Sequence, residues 1–196
     1  MSNRAYLTVT PWQRIYPSFG DLAFEPAQHT ALSSAGCVPL TWLALFSAGD
    51  LASHAFPGHP DPFSAPLAPT AAATARLRER RDWLAELYAD RGPLAGHIDL
   101  LLAHLAPMDG AWISIELEEI AALQPEPAAW QRTLGEVLAA LDRRDPEVRG
   151  PLAELATVML DERFVALEEA STATRREQWN FFRLLGEGWA RPAAWD

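Results

Sequence analysis

The chain predicts an α+β fold, predominantly helical, with a small sheet of about three short strands. Three observations carry this. The stretches "RAYLTVT" and "AWISIEL" alternate polar and apolar residues with period two, as half-buried strands do. Several longer stretches repeat apolar residues at three- and four-residue spacing, as helices do. The composition, 49% hydrophobic and 21% charged over 196 residues, is that of a globular chain. This length suits one domain spanning residues 1–196, with enough apolar surface to fold without a disulfide or a metal.

From Ala5 to Thr10, Tyr6, Thr8 and Thr10 alternate with Leu7 and Val9, which predicts the first strand; Pro11 breaks it. Residues 11–36 are rich in Pro, Gly and Ser and predict an ordered loop. "VPLTWLALFSAGDLASHAF" predicts a buried helix, apolar almost all round, with Pro39 in its first turn and Gly49 at its end. Five prolines in "PGHPDPFSAPLAPT" predict a loop or insertion over about 56–69. Thr70 is placed to cap a long helix to about Asp90, with Leu77, Leu84, Leu87 and Tyr88 inward and an Arg78–Asp82 pair outside. Gly92-Pro93 separates it from a helix over Leu94–Leu105, with Ile98, Leu101, Leu102 and Leu105 inward. A strand over Ala111–Leu117 follows the turn "MDG", then helices at about 126–143 and 150–160. "RFVALEE" suits a third strand. Thr172 or Thr174 is placed to cap a last helix through Leu185, stopped by Gly186 and Gly188.

Charge and cysteine usage narrow the function classes. All 16 basic residues are arginine, the net charge is −10, and residues 111–196 carry −7 of it. An acidic balance argues against a nucleic-acid binder and would attract a basic partner. The single cysteine, Cys37, excludes an internal disulfide and fits a reducing compartment. The opening residues lack a secretory pattern, and no window approaches the length of a membrane span, so the expected location is the cytoplasm.

Candidate chemistry is sparse. Cys37 opens an apolar helix with no catalytic signature around it, and a small buried hydrophobe is the better reading. His54 and His59 stand five apart beside Asp61, without a second ligand pair at standard spacing. His97 and His104, seven apart on one helix, lie about 10 Å apart along its axis and edge the core rather than share an ion. The pairs Glu118-Glu119, Asp161-Glu162 and Glu168-Glu169 point in different directions within each pair, as on a solvated acidic face. "RLRERR" at 76–81 suits a charged helix face better than a phosphate-binding stripe. Tyr16, Phe19 and Phe24 either form a stacking platform or anchor their loop against Trp42 and Phe46; the packing role is preferred. Nucleophile-elbow, zinc-protease, phosphate-loop and dinucleotide motifs are absent.

The stretches "SNRAYLTVT", "IYPSFGDLAF" and "VPLTWLALF" resemble small bacterial proteins that open Asn-Arg-Ala/Ser-Tyr-Leu. Some of these resemble immunity proteins paired with secreted polymorphic toxins, such as type VI effectors. The resemblance covers roughly residues 2–46, and "FRLLGEGWARP" near the end also looks family-like. It implies a protein-binding function and carries over no catalytic residue. The expected function is therefore an immunity or antitoxin-like protein, not an enzyme, that neutralises a basic cognate toxin by stoichiometric occlusion. It would need no cofactor or metal and would bind neither nucleic acid nor membrane. The expected interface is acidic and C-terminal, with Glu116, Glu118 and Glu119 as the partner-binding residues. Two other readings fit the residues. One is an enzyme of unrecognised type using Cys37 or the His54/His59 loop. The other is a structural or oligomeric adaptor with Trp189 and Trp195 as contacts.

Overall fold

The strand predicted at the start of the chain lies inside a five-stranded antiparallel sheet. The computed structural model describes residues 4–13, 15, 29–35, 38–54, 62–89, 94–108 and 111–156. In chain order these form β1 (Arg4–Thr10), β2 (His29–Ala35), α1 (Leu40–Leu43), β3 (Leu51–His54), β4 (Phe63–Pro69), α2 (Thr70–Leu87), α3 (Leu94–Leu105), β5 (Trp112–Glu116), α4 (Glu118–Ala122), α5 (Pro127–Asp142) and α6 (Arg149–Ala156). The sheet order is β2-β1-β5-β4-β3. The fold is α+β and predominantly helical, as expected, but the sheet has five strands rather than about three. The expected strand over 163–169, the last helix and the tail with Trp189 and Trp195 lie outside the described residues. So do Tyr16, Phe19, Phe24, Cys37 and His59.

Register explains the core. Leu7 pairs with Ile115 and Val9 with Ile113, so these four share one face, and all are at most 2% exposed. Tyr6, Thr8 and Thr10 pair with Glu116, Ser114 and Trp112 on the other face. That face is polar yet also covered: Thr8, Thr10, Ser114 and Glu116 are all buried. Helix α2 packs on β4, β5 and α3, while α4 packs on β1 and α5. One contiguous core runs from Ala5 to Leu155. Tyr88 ties the end of α2 to α6: its hydroxyl donates to the Arg149 carbonyl at 2.8 Å, and the Arg149 guanidinium stands 5.4 Å from its ring.

Two of the missing strands were hidden for identifiable reasons. β2 occupies the end of the predicted loop over 11–36. It is polar, and it carries a register shift opposite Leu7/Thr8, so its period is broken. β4 occupies the second half of the predicted loop over 56–69, despite Pro66 and Pro69. Its first half, Phe63–Pro66, pairs only with β3, and its last three residues pair only with β5. Each half therefore has an unpaired side on which a missing N–H costs no ladder bond.

The predicted helix from Val38 onward also changes. Only Leu40–Leu43 is α-helical; a turn, a short 3-10 segment at Ala48–Asp50 and then β3 follow. The cause is tertiary. Arg80 donates to the carbonyls of Ala44 and Phe46 at 2.8 and 2.7 Å, and Arg76 donates to that of Leu45 at 2.7 Å. Carbonyls that a longer helix would bond internally are taken by guanidinium groups instead. The Asp50 carboxylate then accepts both the Ser47 N–H and its hydroxyl, at 2.7 and 3.0 Å.

The long helices follow the sequence closely. α3 matches its predicted bounds, and α2 ends three residues early. Thr70, expected as the cap of α2, is instead its first residue after Pro69, and its N–H donates to the Ala111 carbonyl at 2.7 Å. Asp82 pairs with Arg81 rather than with Arg78. α5 ends in a left-handed residue, Arg144 at φ 52°, and the Asp145 N–H reaches back to the Ala140 carbonyl at 3.0 Å.

Candidate functional site

Three side-chain groups stand out: an acidic corner at α4, an arginine clamp on α2, and a cleft between α2 and α3. The corner holds the predicted partner-binding residues. β5 ends at Glu116, and α4 begins two residues later with Glu118 and Glu119 in its first turn, where carboxylates favour the helix dipole. The Glu119 carboxylate accepts the Arg4 backbone N–H at 2.6 Å, which joins α4 to β1. Burial pushes the Tyr6 phenol above its ordinary value, and the Glu119 charge adds to this. Arg4 pulls it back, and Glu116 raises it again. Glu116 corrects the expectation of an open acidic surface: it is only 4% exposed, on the covered polar face of the sheet. Glu118 and Glu119 are half-buried and remain within reach of a partner.

The clamp is built from residues read earlier as a charged surface. Ala73, Leu77, Arg80 and Leu84 form the buried stripe of α2, so Arg80 occupies a core position at 3% exposure. Besides the two carbonyls, it donates to Asp142 at the end of α5 at 2.6 Å. The other Asp142 oxygen accepts the Ala48 N–H at 3.0 Å. Burial lowers the Arg80 pKa to about 10, with Asp142 opposing that shift, so the group stays charged at neutral pH. Arg76 completes the clamp through Asp50 at 2.8 Å. The signal was present in the sequence: Arg80 falls at core spacing between Leu77 and Leu84. Arg78 is exposed, and Arg81 lies near the surface, gripping Asp99 of α3 through two bonds at 2.7 and 2.6 Å.

The cleft lies where the start of α2 meets the end of α3, with a volume of about 290 Å³. Thr70, Thr74 and Arg78 form one wall, at four-residue spacing along α2, and Leu102, Leu105 and Ala106 form the other.

The histidines do not gather. His54 ends β3 opposite Phe63, and burial lowers its pKa below the ordinary value, against a smaller raising effect from the Ala52 backbone. His97 is buried and His104 half-buried, both at the edge of the core. Among the described residues no group of three or more His, Cys, Asp or Glu is placed to hold a metal ion. None of their helices is long and apolar enough to cross a membrane. Compared with protein-family models, curated proteins and solved structures, the chain matches none.

Proposed function

We propose that this chain is an immunity-type protein: a cytoplasmic, non-catalytic inhibitor that binds a basic cognate toxin one-to-one and occludes it. The observation that carries the reading is the resemblance of residues 2–46 and of "FRLLGEGWARP" to small bacterial proteins of that kind. Much of the described part of that stretch is scaffold. β1 is paired on both sides, and residues 38–46 are all buried. Shared residues there speak to a common fold. The charge supports an acidic surface, because residues 111–196 carry −7 of the net −10. Opposite charge would speed encounter with a basic toxin, while tight binding would come from a smaller buried cluster.

Glu118 and Glu119 are the residues to reverse, and Glu116 is not, since a buried arginine there would disturb the sheet. Tagged protein recovered from its native host should bring down one basic partner that is toxic when expressed alone. With that partner, a Glu118→Arg/Glu119→Arg variant should associate about tenfold more slowly at low salt and lose most of its salt dependence. Unchanged association kinetics would move the interface away from α4. Recovery of this chain alone would defeat the immunity reading.

A further inference from the structure

We propose that the outer face of α3, with the adjoining flank of α2, pairs with the same face of a second copy of this chain. The inference is independent of the toxin reading and rests on other elements. A surface helix ordinarily turns charged side chains to solvent. α3 does not. Its exposed residues are Gly96, Asp99, Leu100 and Ala103, and Ala106 and Pro107 continue the row through the 3-10 turn that follows. Gly96, Leu100, Ala103 and Pro107 recur at intervals of four, three and four, as along a seam where two helices pack. Leu100 is 47% exposed, and Leu123 is the only other large apolar side chain exposed among the described residues. A Cβ at Gly96 would meet nothing within 4 Å, so this chain's own packing does not call for glycine there. A closely approaching second helix would be served by one.

The charges decide which partner fits. Asp99 is the only acidic or basic side chain on α3 besides its histidines, and both of its oxygens are held by Arg81, at 2.7 and 2.6 Å. The centre of the face is therefore neutral on a chain of net charge −10. Depletion of charge is what marks the core of an interface. A neutral apolar centre offers little to a basic partner, but it spares two copies of an acidic chain their mutual repulsion. The edge of the face carries both signs. Arg78 and Asp82 stand four apart and exposed on α2, and Arg78 forms no ion pair among the described residues. A twofold axis crossing the helix pair near Arg81 and Asp99 lays each helix antiparallel on its own copy. It turns Arg78 of one chain toward Asp82 of the other, twice, which is the self-complementarity an isologous contact requires. The four helices then pack as an antiparallel bundle does. The cleft shares Arg78 and Ala106 with this face, so a copy docked here covers it as well.

The test is sedimentation velocity on the full chain at concentrations up to about 100 µM. Wild type should sediment as a dimer. Leu100→Asp should weaken the dimer at least about tenfold while unfolding at the same denaturant concentration, because the side chain is exposed in the single chain. Leu123→Asp should leave the dimer intact. Arg78→Asp and Asp82→Arg should each weaken self-association by setting like charges against each other, and an equal mixture of the two variants should recover it. A wild-type chain that stays monomeric at that concentration would overturn the proposal. So would an undiminished dimer of Leu100→Asp, dissociation by Leu123→Asp, or a mixture that associates no better than its components.

Discussion

His54 shows how a single side chain links burial to pH. Its neutral form is favoured in the folded chain because burial disfavours the charged ring. The unfolded chain, with a value near ~6.5, takes up the proton first as pH falls. Between that value and the lower folded one the unfolded state binds more protons, so stability declines with falling pH and is complete above the window. Denaturant titrations at a series of pH values should therefore show wild type losing stability relative to His54→Gln below about pH 6.5. Parallel curves would mean that His54 titrates alike in both states. His54 was visible in the sequence as a possible ligand. Its burial was not, because that depends on a strand hidden beside a proline-rich stretch.

The element that decides most is α2. Its inner stripe packs Leu77 and Leu84 into the core and places Arg80 between them, where it holds the 44–46 carbonyls and Asp142. Arg80→Met keeps much of the volume but strands three acceptors, and a loss of about 3 kcal/mol is expected from urea unfolding midpoints. Arg80→Lys should recover only part of this, since an ammonium lacks the planar fork that spans the three acceptors. A loss below about 1 kcal/mol for Arg80→Met would reduce the clamp to an ordinary surface pair. The contrast with α3 explains what was legible. α3 follows its own periodicity, with Ile98, Leu101 and Leu105 inward, and its bounds were readable from local pattern. The helix predicted from Val38 failed because its outcome is set by guanidinium groups from a distant element, and local propensity carries no record of them.

At the scale of the molecule, fold class and the long helices were readable, and sheet order was not. β1 and β5 alternate cleanly and became central strands, while β2, β3 and β4 depend on pairing that no local window encodes. The candidate interface was half legible for a related reason. Alternation in "AWISIEL" assigns Glu116 to the polar face, and only the assembled fold shows that face to be covered. The divided pairing of β4 has one more consequence. β3 and Phe63–Pro66 form a ribbon that joins the sheet through only three residues, Leu67–Pro69, opposite β5. Such a ribbon can open as a unit while β1 and β5 stay closed. Backbone amides of Ala52 to His54 should then exchange with deuterated solvent well before those of Leu7 to Val9, at a rate that tracks local opening rather than global unfolding. Simultaneous exchange of both sets would mean that the sheet breathes as one body.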